Sequence, residues 1–510
     1  MTTDYLSAVR LDDQLLSACE LHKGALAVVD DNYTLSFQEL SERSAQVAES
    51  IVRAGHRPGL PVVVAVDNRW TDIVAQLAVW RTDGVVVPVH RTTPARVLRH
   101  IAERAGARLV VSPGQALPQE WPLGSGEPLE WVHGLRTKSE PPAELDSRQA
   151  LVAFTSGSTG RAKGVVLSHS ALGSKLEAIS NVIPFSTGSN TLQVLHLNFT
   201  FGQWTTLLTL VRGGTVHLVQ RFVARDVLRR LMDQSVDRIA VVPTMLRLIL
   251  ADLDDAPLEL NREALAECPS PGLWIAGGEP LAAGLGRRVL ETFPRARLAD
   301  VFGLSETSTS DIILTPDAYQ AGAGTIGRPS PGVQVRIVAE NGVDQSAGGV
   351  GELWIKTPFL MTGYLADPES TAAAKSGDWF RTGDLARVTE TGNIELVGRS
   401  KFLILRGGHK LSPLSIEGII SEHPACRGAC VFGTPDAVLG ERIAVLFKPA
   451  AGVRVTPDEI RAWAKTRLQP YEVPDEINLV DELPLGGTGK MDRLSAREFH
   501  KVVTSELGTQ

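Results

Sequence analysis

The first third of the chain alternates two spacings of apolar residues. FQELSERSAQVAESIVRA, residues 37 to 54, sets them at helical intervals ahead of Gly55, and PVVVAVDN, residues 61 to 68, is a short apolar run with a turn signal behind it. TDIVAQLAVWRTDG predicts a second helix closing on Gly84, VVVPV the next strand, and ARVLRHIAERAGARLVVSPG repeats helix, glycine and strand. Strands spaced by helices of this length predict βαβ units around a mostly parallel sheet, apolar because both faces are covered. The period is irregular, so no internal repeat is indicated.

Residues 113 to 148 are rich in Pro, Gly and Glu and predict a surface excursion. A second βα pattern follows through RIAVVPTMLRLIL and LWIAGGEPL. After about residue 325 the texture changes: VQVRIV, GELWIK and NIELVG are strands separated by glycine-containing turns, the pattern of a small antiparallel barrel or meander. Beyond Gly398 come two helix patterns and several strands, enough for a small separate unit. The expected class is α/β: a large N-terminal domain of parallel-type βαβ subdomains with a small β-barrel-like subdomain, then a small mobile α+β C-terminal domain.

Bulk composition narrows the function. The 510 residues are 43% hydrophobic and 21% charged, values of a soluble globular protein, with a formal net charge of −7. That balance argues against nucleic acid as a partner, which would call for concentrated Lys and Arg. No apolar run approaches the roughly 20 residues that span a bilayer, and MTTDYLSAVRLDDQLL lacks the features of a secretion signal. No membrane insertion is expected. Four cysteines in so long a chain (Cys19, Cys268, Cys426 and Cys430) make no disulfide framework and fit a reducing, cytoplasmic setting. Cys426 and Cys430 lie four apart without neighbours to complete a zinc site.

Candidate chemistry begins at FTSGSTGRAKG, residues 154 to 164, directly after the apolar run LVAF. Successive N–H groups in Gly and Ser/Thr turns form a concave nest for anions, and hydroxyls and a lysine add donors, so a polyphosphate is the natural guest. A Walker loop needs Gly before its Lys and Ser or Thr after it. Here Ala162 and Gly164 stand in those places, so the loop is not of that type.

Further stretches follow in order: WIAGGEPL (274 to 281), FGLSET (302 to 307), GELWIKTPFLMTGY, DWFRTGDLA (378 to 386), GRSKFLILRGGHKLSP (398 to 413) and PLGGTGKMDR (484 to 493). With FTSGSTGRAKGVVLSH, this set resembles the adenylate-forming superfamily of acyl- and aryl-CoA ligases, peptide-synthetase adenylation domains and beetle luciferase, from about residue 11 to 500. The resemblance implies an adenylation core at 1–398, a hinge at 399–402 and a mobile domain at 403–510. It implies that Thr155, Ser156, Gly157, Ser158, Thr159, Gly160 and Lys163 wrap the β- and γ-phosphates of ATP. Gly278, Glu279, Pro280, Phe302 and Gly303 complete the nucleotide site, and Ser305 reaches a phosphate oxygen. Glu306 is implied to bind Mg²⁺, a hard cation that takes carboxylate and phosphate oxygens. Asp384 is implied to take the ribose hydroxyls with Arg399 beside it. Lys490 is implied to bridge the substrate carboxylate and the α-phosphate, with Thr155 and Glu306 the other catalytic candidates. Lys401 falls at the hinge, and Gly407 and Gly408 at the thiol tunnel.

The acyl group is read from LHLNFTFGQWTTLLTLVRGG, residues 195 to 214. Thr200 falls where α-amino-acid-activating relatives carry an ammonium-binding Asp, and Phe199 where luciferase and aryl ligases carry an aromatic residue or His. Phe199, Thr200, Gly202, Gln203, Ala276, Gly277, Gly303 and Leu304 are expected to border an aryl or medium aliphatic acid. The implied acceptor is a thiol of CoA or of a phosphopantetheinyl carrier protein. Two alternatives stay open: adenylation of another acid or an oxyanion such as nitrite with transfer to an amine, and a catalytically silent binding homologue. His169 and His196 are read as structural. The chain departs from the family at Ala162, usually Pro, and at Ser415, usually Glu, while Glu417 is kept and expected to anchor the small domain.

Overall fold

The computed structural model describes residues 10–112, 117, 121, 123, 131–137, 139–142, 145–155, 163–233, 235–255, 268, 271–484, 493 and 495–500. Ser156, Gly157, Ser158, Thr159, Gly160, Ala162 and Lys490 lie outside the described residues.

The alternating apolar runs form two large sheets. One holds seven strands in the order Gly363–Tyr364, Lys163–Ser168, Gln149–Thr155, Val85–His90, Pro61–Val66, Leu109–Val111 and Val132–Gly134. Its three central pairings are parallel and its outer ones antiparallel. Every residue of Pro61–Val66 is buried, as a strand covered on both faces requires. The other sheet has nine strands: Arg328–Pro329, Ile312–Leu314, Arg297–Phe302, Leu273–Gly277, Arg238–Val241, Asn190–Gln193, Thr215–Leu218, Leu26–Val29 and Thr34–Ser36. The helix Phe37–Arg53 starts where Ser36 and Glu39 cap each other reciprocally. The helix Trp70–Arg81 is buried almost all round, wedged between layers.

A third sheet is antiparallel throughout, built from Gln334–Val338, Gly351–Lys356, Trp379–Val388, Lys375–Ser376 and Ile394–Arg399, as the glycine-punctuated pattern predicted. Beyond it, the pair Cys426–Asp436 and Gly440–Pro449 anchors a five-stranded sheet with its own core of Ile404, Ile416, Val431, Val445 and Ile460.

The excursion after residue 112 is not wholly superficial. Trp121 is 2% exposed and its indole N–H donates to the Thr93 carbonyl at 3.0 Å. One aromatic anchor outweighs the polar composition around it. Cys426 and Cys430 lie on one strand and form no disulfide, and burial pushes the Cys426 thiol up to about 12. No described helix is long and apolar enough to cross a membrane.

Candidate active site

Thr155 ends one strand of the seven-stranded sheet and Lys163 begins the next. The two residues are antiparallel partners, so the glycine- and serine-rich stretch between them leaves and re-enters at a single hairpin mouth. The Lys163 ammonium donates to the Ser370 hydroxyl at 2.9 Å and sits 4.6 Å from the centre of the Tyr364 ring. The Tyr364 hydroxyl donates in turn to Glu306 Oε1 at 2.8 Å. Burial and the Glu306 carboxylate hold the Tyr364 phenol far above its ordinary range, so it stays a donor.

Glu306 stands on the short turn Ser305–Thr307 after the strand Arg297–Phe302, and its carbonyl accepts from the Met361 N–H at 2.7 Å. Tyr364 therefore ties Lys163 to Glu306, two residues far apart in the chain. Its only sequence signal is that it closes GELWIKTPFLMTGY. A hard cation such as Mg²⁺ fits here: Tyr364 holds one Glu306 oxygen, and the other has no partner among the described residues. Among the described residues no group of three His, Cys, Asp or Glu gathers. A carboxylate oxygen with room for a cation suits an ion otherwise held by phosphate oxygens and water.

Asp384 and Arg399 face each other across adjacent strands, with Arg399 Nε 2.7 Å from Asp384 Oδ1. Asp384 is 4% exposed, and its Oδ2 has no hydrogen-bond partner among the described residues. Burial raises the Asp384 carboxyl above its ordinary range, Arg399 and Lys401 oppose this, and Glu306 adds to it. Glu306, Asp384, Arg399 and Lys401 therefore share one electrostatic neighbourhood. A buried acceptor oxygen without a donor is costly to maintain, and a ligand hydroxyl would satisfy it.

Ser305 shares a hydrogen bond of 3.1 Å with Thr200, which opens the helix Thr200–Val211 behind Phe199. That bond joins the FGLSET turn to the expected acyl wall. Gly303 is forced by close approach: a Cβ there would lie 2.0 Å from the Ser310 nitrogen. The chain crossing it is strained, since Ser308, Thr309 and Ser310 all have positive φ (57°, 69° and 48°) and all are buried. Gly202 meets the His196 carbonyl in the same manner, at 2.4 Å.

Other expected site residues have visible structural duties. Glu279 accepts from the Thr244 N–H at 3.0 Å and from its hydroxyl, capping the helix Pro243–Asp255, with exposed Gly278 and Pro280 on either side. Gln203 donates to the Leu197 carbonyl and Phe302 packs against the core of the antiparallel sheet. Ala276 is fully buried, Gly277 abuts Val301, and Leu304 packs at the core edge. Lys401 lies 4.8 Å from the Phe402 ring. Gly407 and Gly408 form the exposed turn between Ile404–Arg406 and His409–Leu411, with the Gly407 N–H donating to the Leu439 carbonyl. Glu417 accepts from Arg493 at 2.6 Å and from the Val431 N–H at 3.2 Å, an anchoring position. His169 is buried 3.2 Å from Asp12 with its ring against Trp80, and His196 packs on His90.

The family of AMP-binding enzymes matches residues 15–365 of the chain, and the AMP-binding enzyme C-terminal domain matches residues 415–490. The chain is 29% identical to feruloyl-CoA synthase of Amycolatopsis sp over 92% of its length and 94% of that protein. It is 27% identical to the fatty acid–[acyl-carrier-protein] ligase ScoC of Streptomyces coeruleorubidus over 92% and 93%. Among solved structures, the amide bond synthetase McbA from Marinactinospora thermotolerans superposes with a TM-score of 0.77 at 25% identity, covering 96% of this chain and 99% of that one.

Proposed function

Because the chain belongs to the family of AMP-binding enzymes and is an ATP-dependent, AMP-forming acid ligase, we propose that it activates an aryl or medium aliphatic acid, not an α-amino acid, and passes it to a thiol. The observation that carries this reading is the convergence of Lys163, Tyr364 and Glu306 with the Asp384–Arg399 pair.

In this reading the hairpin mouth between Thr155 and Lys163, with Ser156 to Gly160, holds the outer phosphates of ATP. Asp384 Oδ2 takes a ribose hydroxyl while Arg399 keeps the carboxylate charged. Glu306 would hold Mg²⁺, which offsets charge on the departing pyrophosphate when bound. A substrate carboxylate oxygen then attacks the α-phosphorus, the bond to pyrophosphate breaks, and an acyl-adenylate forms. Lys490 stabilises charge growing between the two reactants. Rotation at Lys401 would withdraw Lys490 and bring Gly407 and Gly408 to the site, where a thiol displaces AMP. Thr200 stands where an ammonium-binding Asp would be expected in an α-amino-acid-activating relative, which supports a neutral acyl chain.

CoA and a carrier-protein thiol are both represented among the relatives. The likeness to an amide bond synthetase favours an amine as the second reading. Pyrophosphate exchange over aryl and aliphatic acids tests adenylation: exchange with at least one acid is expected, and none with any acid refutes it. Supplying CoA, a carrier protein and amines separately, then weighing the products, decides the acceptor. Lys490→Ala is expected to abolish exchange yet leave thiol transfer to pre-formed acyl-adenylate largely intact.

A further inference from the structure

A lysine and an aspartate meet in the core, where charge is costly to keep. Lys175, on the helix His169–Ser180, is 1% exposed, and Asp311, just ahead of the strand Ile312–Leu314, is fully buried. Lys175 Nζ stands 2.8 Å from Asp311 Oδ1, and the ammonium sits 4.8 Å from the centre of the Phe359 ring. As a stabilising device such a pair is poor, because desolvation of the two charges offsets their attraction and apolar residues of like volume often serve as well. What the pair holds gives it another use.

Asp311 Oδ2 accepts from the Thr307 hydroxyl, so the two oxygens of one carboxylate join the helix to the turn Ser305–Thr307. Between Thr307 and Asp311 run the left-handed residues Ser308, Thr309 and Ser310, and the Thr307–Asp311 bond closes that strained segment across its ends. Further bonds pin it. The Ser308 hydroxyl donates to the Phe359 carbonyl at 2.8 Å, the Thr309 N–H to the Leu304 carbonyl at 2.8 Å and the Asp311 N–H to the Phe302 carbonyl at 2.7 Å. Burial raises the Asp311 carboxyl, and Lys175, Thr307 and the Leu304 N–H oppose that rise. The helix bearing Lys175 follows directly on the strand Lys163–Ser168, and Thr307 adjoins Glu306. The ion pair is therefore a second tie, besides Tyr364, between the segment that begins at Lys163 and the turn that carries Glu306.

Resting on the acid-ligase reading, in which Glu306 holds Mg²⁺, we propose that Lys175 and Asp311 are positioning residues: acting through Thr307, they fix the Glu306 carboxylate for the metal–ATP complex, so that affinity for the cation is set in part by this buried pair. Apolar replacements would keep the packing but leave the Thr307 hydroxyl without its carboxylate, and the turn would then have to be ordered when metal and nucleotide bind. Groups that orient a coordinating side chain from behind are worth roughly 10- to 100-fold in metal affinity.

The test is calorimetry on the full-length enzyme with ATP in Mg²⁺ and with ATP in EDTA, which separates binding that needs the metal from binding that does not. Glu306→Gln sets the scale: it should weaken binding of MgATP by about tenfold or more without weakening ATP in EDTA. Thr307→Val keeps the shape and both buried charges but removes the hydroxyl, and a loss of about tenfold confined to MgATP is expected, while Thr307→Ser should stay within about twofold of the wild type. The double variant Lys175→Met with Asp311→Leu should lose MgATP affinity to a similar extent while its thermal melt hardly moves, the reverse of what a purely structural pair would show. If the double variant does not fold, Thr307→Val decides alone. Equal losses with and without Mg²⁺, or undiminished MgATP affinity in Thr307→Val, overturns the proposal. If Glu306→Gln itself binds MgATP like the wild type, the metal reading of Glu306 fails and takes the proposal with it. If Glu306→Gln weakens MgATP and the other variants do not, the proposal alone falls.

Discussion

Replacing Asp384 by Asn changes one atom in a place where the structure allows a magnitude to be worked out. Asp384 Oδ1 is held by Arg399 at 2.7 Å, and Oδ2 is buried without a partner among the described residues. If Oδ2 accepts from a ribose hydroxyl, one charge-assisted hydrogen bond is at stake, roughly 1.5–3 kcal/mol. At about 1.4 kcal/mol per tenfold, Asp384→Asn should weaken ATP binding by roughly 10- to 150-fold. Loss of the Arg399 pairing adds little to global stability, because the Arg399 side chain is 42% exposed and water takes over. A thermal melt should therefore shift only slightly. Calorimetry with ATP and with 2′,3′-dideoxy-ATP separates the causes: the wild type should lose a similar factor on removal of the hydroxyls, and the variant should lose almost nothing further. Undiminished ATP affinity in the variant, or equal loss for both nucleotides, would refute the reasoning. Because burial raises this carboxyl, protonation on acidification should mimic the Asn variant, with ATP affinity falling as pH drops.

Gly303→Ala should prevent native packing, since its Cβ would overlap the Ser310 backbone nitrogen at 2.0 Å; circular dichroism and yield of soluble protein check this. Ser415→Glu should raise stability by about 0.5–1 kcal/mol, read by denaturant unfolding. Ser415 is exposed at the third position of the helix Pro413–Ser421, and Ser412 already caps its N–H, so Glu would complete the reciprocal cap. Acidification should destabilise the fold through His169, whose buried ring has its pKa lowered to about 4 against the opposing pull of Asp12. The unfolded ring binds a proton near 6.5 and the folded one does not, so this contribution is present above 6.5 and lost as pH falls towards 4. At pH 5 the deficit is about 2 kcal/mol, and it should vanish from the unfolding curve of a well-folded His169→Gln.

What the chain determines by itself is what local patterning can encode. Buried strands such as Pro61–Val66 read as unbroken apolar runs, helices such as Phe37–Arg53 as amphipathic stripes with capping residues, and the sheet around Gly351–Lys356 as strands cut by turns. Motif spacing likewise marks Lys163, Glu306 and Asp384, because such segments carry their residue types at short, fixed intervals. Only the tertiary structure decides which distant groups meet. Tyr364 joins Lys163 to Glu306 across more than a hundred positions of chain. Lys175 finds Asp311, and the indole of Trp204 is buried without an acceptor among the described residues. The physical reason is that period and propensity act over a few residues, whereas burial, desolvation and the pairing of charges depend on what the folded sheets bring alongside. The same cause hides strain: nothing in STSD announces three consecutive left-handed residues, which persist because the backbone packed on Gly303 holds them there.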